Sequence, residues 1–166
     1  MPIGLGLASS HAPSTHAVDF QAWENIHVFL NSNTPQPPET ATETEEVINE
    51  WIPRIKADWK TLGDKVAEYG TELLIIIGGD QTEMFDRSLV PNFMIFVGDS
   101  AWGQNNNQLA GEEPSEETLI RLKVDRDASQ FLLESLVAQG FDVNASTEQV
   151  AFGRRPERGT PHAFIV

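Results

Sequence analysis

The 166-residue chain contains no cysteine. Disulfides, zinc–thiolate sites, iron–sulfur clusters and thiol nucleophiles are excluded, and any metal must be held by histidine, carboxylate or amide oxygen. Basic residues are scarce as well: 11 Lys and Arg stand against 25 Asp and Glu, a formal net charge of −14. Such a field repels phosphate backbones and anionic lipid surfaces, so nucleic acid and membrane are not expected as partners. No stretch approaches the roughly 18 consecutive apolar residues of a membrane span. The start, MPIGLGLASS, has no basic segment ahead of its short apolar run. A signal peptide would need one, so the expected location is cytoplasmic. The length suits a single domain, residues 1–166, with a core of its own.

What the chain does have is a central apolar stretch, Leu73 to Phe85, reading LLIIIGGDQTEMF. Five apolar residues, Leu73–Ile77, are too few for an ordinary helix and fit a strand buried on both faces, the centre of a sheet. Gly78 and Gly79 end it. Asp80, Gln81 and Glu83 then fall where a parallel strand delivers side chains to a ligand crevice, three oxygen donors suited to a metal or a polar substrate. The same residues equally suit a turn capped by Asp80 with Glu83 facing solvent.

Around this stretch the pattern alternates strands and helices. Pro2–Ala8 reads as a short buried strand, and Ser9-Ser10-His11 closes it before Pro13, which places His11 at a strand terminus. Phe20 to Leu30 suits a short helix, Asn31–Thr44 a mobile loop, and His16 and His27 surface positions. Val47, Trp51, Ile55, Trp59, Leu62, Val66 and Tyr69 mark one long amphipathic helix ended by Gly70, with its tryptophans on the sheet and Pro53 near its start or at a bend. Strand, helix and strand would form a right-handed crossover unit. Phe93–Val97 predicts a further strand, Asp99–Gly111 a polar loop, Pro114 to Gly140 a second long helix, and Phe141–Ala145 a fourth strand. Acidic residues gather at Glu39–Glu50 and Glu112–Glu117, as solvated loops and helix starts do. Arg154, Arg155 and Arg158 form the one basic cluster, suited to a solvated turn or to a carboxylate-bearing substrate. His162 then opens an apolar run to Val166, read as a strand whose edge would drive association.

In order and spacing, GLGLASSHAP, LLIIIGGDQTEMFDRSLVPNFMIFVG, FDVNAS and GTPHAFIV resemble the class III extradiol ring-cleavage dioxygenases, the family of the protocatechuate 4,5-dioxygenase catalytic subunit. The resemblance implies an α/β fold with a mostly parallel central sheet flanked by helices. It further implies a non-haem Fe(II), held by two histidines and a glutamate, that takes an aromatic diol and O2 at its open positions. His11 matches the first iron-ligating histidine of the family. Gln81 stands where the best-known members carry the histidine of an Asn-Asp-His segment. A subgroup acting on lignin-derived biaryls carries Asp-Asp-Gln-x-Glu-x-Phe there, with Gly79 replacing the first Asp in this chain; ligation then falls to Gln81 or Glu83. His162 matches a pocket histidine that hydrogen-bonds near the bound oxygens and is the catalytic candidate. Ser10 and Asp80, beside these groups, are the substrate-binding candidates.

The family's C-terminal part, which supplies its acid–base histidine and a glutamate ligand, has no counterpart here. The chain is therefore expected to be an N-terminal fragment of such an enzyme, a decayed non-catalytic paralogue acting as a binding or interaction subunit, or a subunit completed by a second copy or another chain. A metal-dependent hydrolase built on Gly78-Gly79-Asp80 and Glu83 is a further reading, but it lacks a second His/Asp cluster.

Overall fold

The computed structural model describes residues 3–85, 88, 90–105, 114–148 and 159–165. They fall into two compact units, the first holding the described residues up to Leu74 and the second those from Ile75 onward. The protein is mixed α/β, with three α-helices and four short strands among the described residues.

The first unit is helical. Helix α1, Phe20–Asn31, starts where the Asp19 carboxylate accepts the N–H of Ala22 at 2.8 Å. Helix α2, Glu45–Tyr69, is capped by Thr44, carries Glu45 and Glu46 in the positive first turn, and ends at Gly70 with φ +68°. It runs through Pro53, whose missing N–H leaves one rung of the ladder unmade. Ile48 and Ile52 are its buried positions, and Ile55, Trp59, Leu62 and Val66 continue the same face half-buried. The tryptophans, expected on a sheet, meet aromatic partners of this unit instead. Trp51 meets Trp23 of α1 edge-on at 6.2 Å, and Trp59 meets His16, in the 3-10 turn Pro13–His16, at 5.6 Å. Trp23 also donates its indole N–H to Glu43 at 3.1 Å, just after a second 3-10 turn, Pro38–Thr42, in the segment read as a loop.

The second unit holds the strands. β1, Met94–Phe96, pairs in parallel with β4, Asn144–Ser146, and α3, Arg126–Ala138, lies against β1. β2, Ser100–Gln104, pairs antiparallel with β3, Leu119–Lys123, in a register that sets Trp102 opposite Arg121. Helix α3 is capped by Asp125 and closes on Gly140 at φ +88°, with Phe141 N–H reaching the Leu136 carbonyl and Gly140 N–H that of Val137.

Several expectations change here. Leu73–Ile77 forms no strand ladder, and its residues are 47–89% exposed. An apolar run expresses a demand for burial, whereas a strand also needs a partner in register, and the ladders are taken by β1 with β4 and β2 with β3. Pro2–Ala8 is likewise no strand over its described residues, so the crossover unit is not built. The second long helix begins only at Arg126, after its cap Asp125, because residues 119–123 alternate in a way that pairs with Ser100–Gln104; the span read as polar loop thus holds a strand, and Phe131 of the helix is 72% exposed. His162 to Phe164 is a 3-10 turn and not a strand. Arg154, Arg155 and Arg158 lie outside the described residues. Among those residues no helix is long and apolar enough to cross a membrane.

Candidate functional site

Two segments far apart in sequence meet in the second unit: the turn Gly78–Phe85 and the segment Gly159–Ile165. The turn is organised by Asp80. Its Oδ1 accepts the N–H of Glu83 at 3.0 Å and of Met84 at 2.9 Å, and its Oδ2 accepts that of Phe85 at 3.1 Å. Short acidic side chains favour such local bonds, because they reach backbone amides a few residues ahead. Inside the loop so formed, Thr82 has φ +66°, a conformation that costs a β-branched residue energy. Met84 is buried and anchors the far side.

The second segment is pinned to β2. Thr160 donates both its N–H and its hydroxyl to the carbonyl of Trp102, each at 2.7 Å. Gly159 bridges to Gly103 with φ +71°, and a Cβ there would run into the Trp102 carbonyl and indole. The 3-10 turn His162–Phe164 comes next, and Ile165 beyond it is buried. The Phe164 ring lies over Gly78, where an added Cβ would meet it at 3.0 Å, so glycine permits the close approach of the two segments.

Their junction is a hydrogen bond between a carboxylate and an imidazole. Glu83 Oε2 lies 2.8 Å from His162 Nδ1 and also accepts the His162 backbone N–H at 3.3 Å, across 79 residues of sequence. Both side chains are shielded, 26% and 29% exposed. The hydrogen bond to Glu83 raises the His162 pKa above its ordinary value, burial opposes it, and the carboxylate charge adds to the rise. An ionised carboxylate only accepts, so the ring N–H donates from Nδ1. The pair is an imidazole with fixed orientation and a proton affinity increased by its neighbour, which suits proton transfer to or from a bound hydroxyl.

The structure brings His162, Glu83 and Asp80 into one neighbourhood, with Gln81 in the same turn. His11 and Ser10 belong to the first unit; Ser10 Oγ accepts the N–H of Ala12 at 3.1 Å, and His11 is half-buried. Among the described residues no three His, Asp or Glu side chains gather as a metal would require. The turn offers donors of suitable type, but Glu83 is engaged by His162 and Asp80 by its own backbone. Sequence reasoning missed Thr160, Gly159 and Trp102, which hold the histidine segment. The signal within reach was GTPH itself, a glycine and a threonine directly before Pro161 and His162.

No family model matches the chain, and no curated protein or solved structure matches it either.

Proposed function

We propose that this chain acts in extradiol cleavage of a catechol-type aromatic diol with O2, as a non-haem Fe(II)-dependent cytoplasmic enzyme or the N-terminal part of one. In this reading the β1–β4 pair belongs to a mostly parallel sheet flanked by helices. The observation that supports it is the His162–Glu83 bond: two residues singled out separately by the resemblance lie 2.8 Å apart. Iron would supply the site for diol and O2, and His11, Gln81 and Glu83 are its candidate ligands by resemblance. Among the described residues no three His, Asp or Glu side chains gather as such a centre requires, and Gln81 stands in place of a histidine, so no step is derived through it. Among the chain's own groups, Glu83 orients the His162 ring and favours its protonated form. His162 can then accept a proton from the diol hydroxyl, or hold the resulting anion by a charge-assisted hydrogen bond.

A second reading, a non-catalytic binding subunit, is favoured by Gln81 standing at a histidine's place and by the engagement of Asp80 and Glu83 in internal bonds. An amide is the weaker ligand for Fe(II). Anaerobic calorimetry with Fe(II) on the wild type and His11→Ala, followed by catechol and then oxygen, decides between them. His11-dependent binding, a catecholate–iron band and oxygen uptake support the enzyme. Catechol binding that His162→Ala abolishes, with neither iron binding nor oxygen uptake, supports the subunit. Absence of both iron and catechol binding overturns both.

A further inference from the structure

We propose that Asp80 is the positioning residue of the Glu83–His162 pair: its carboxylate holds the turn that presents Glu83 Oε2 to both the ring and the backbone of His162. The inference rests on reading that pair as the working site. Its basis is the division of labour between two carboxylates three residues apart. Asp80 spends both oxygens on main-chain donors, namely the N–H groups of Glu83, Met84 and Phe85, so it acts on any ligand through the turn it holds. Glu83 has its own N–H bound by Asp80, and its side chain turned to His162. Between them Thr82 sits at φ +66°, and backbone strain of this kind persists only where surrounding bonds over-determine the conformation. The three amide bonds to Asp80 are a restraint of that kind. Without them Thr82 relaxes to negative φ, the peptide on its C-terminal side rotates, and the Glu83 carboxylate leaves the line to Nδ1. A further contact between the segments, Phe164 on Gly78, lies ahead of Asp80 and does not set the direction of Glu83.

The test is NMR on the full chain, isotopically labelled, at neutral pH and low temperature. An imidazole Nδ1–H held by a carboxylate gives a far-downfield resonance, assigned to His162 by its loss in His162→Gln and dependent on the partner in Glu83→Ala. In Asp80→Ala this resonance is expected to vanish, and the amides of Glu83, Met84 and Phe85 to exchange faster by about tenfold or more. Amides of α3 should be unchanged, which reports an intact fold. Asp80→Asn retains one acceptor oxygen and should keep a weakened resonance; it decides the matter if the alanine variant does not fold. A full-strength His162 resonance in both Asp80 variants overturns the positioning role while leaving the pair intact. A wild type without the resonance overturns the pair and the inference with it. Loss of the resonance in Asp80→Ala, in a protein that binds no diol, upholds the inference and removes the functional reading.

Discussion

The carbonyl oxygen of Trp102 accepts two hydrogen bonds from Thr160, one from its backbone N–H and one from its hydroxyl, both at 2.7 Å. Thr160 is the buried polar residue through which the His162 segment is tied to β2. Thr160→Val keeps the shape and removes the hydroxyl donor. The carbonyl retains the N–H bond, so the expected loss is about 1 kcal/mol, a fall of several degrees in Tm. Calorimetric melting checks it; an unchanged Tm would remove the hydroxyl from the account.

Gly159, one residue earlier, meets a stricter constraint. At φ +71° any side chain is strained, and a Cβ would also collide with the Trp102 backbone. Gly159→Ala should therefore cost more than the roughly 1–2 kcal/mol that a left-handed angle costs an L-residue in open space. For contrast, Gly70→Ala shares the left-handed angle but has open space around it, and should cost less. Urea midpoints of the two variants measure the difference, and equal shifts would refute the collision at Trp102.

The Glu83–His162 bond makes stability depend on pH. Folding raises the His162 pKa above the roughly 6.5 of an unperturbed imidazole. The folded state thus holds its proton more tightly than the unfolded chain. The stabilisation is fully present below the unfolded pKa and is lost as pH rises through the folded one. Glu83→Gln removes the cause of the rise. In that variant the His162 resonance should titrate at lower pH, and the decline in Tm from mildly acidic to mildly alkaline pH should shrink. A profile identical to wild type would show that the pair does not form in solution.

The apolar run offers a simpler test. Ile77 is 89% exposed and outside any ladder, so Ile77→Asp should change stability by no more than about 0.5 kcal/mol. Exposed apolar runs promote association, and the same substitution should reduce light scattering at high protein concentration. A large loss of Tm instead would mean that the segment is buried in the folded protein.

Much of the local structure was legible because its causes are local. Gly70 and Gly140 end the helices as expected, because their left-handed angles do so whatever lies around them, whereas the caps Asp19, Thr44 and Asp125 were not singled out and Asp125 opens a helix expected from Pro114. The apolar face of α2 arises from a spacing of three and four along one chain segment. Where local signals conflicted, they misled: Ile120 and Val124 fit a helical stripe, but pairing with Ser100–Gln104 claimed residues 119–123 for a strand.

The site divides in the same way. Sequence alone determined its residue types: no thiol, an acidic chain, and Asp80, Glu83 and His162 as groups able to bind or move protons. It also contained the bonds by which Asp80 folds its own turn, since the three amides lie three to five residues away. Only the tertiary structure decided that Glu83 faces His162, that Phe164 covers Gly78, and that Thr160 hangs the whole segment from Trp102. Those contacts span 58 to 86 residues, as 83 to 162, 78 to 164 and 102 to 160 show, and no periodicity or cap encodes so distant a partner. The partners are selected by which strands pair and which surfaces remain to be covered, a property of the folded chain as a whole.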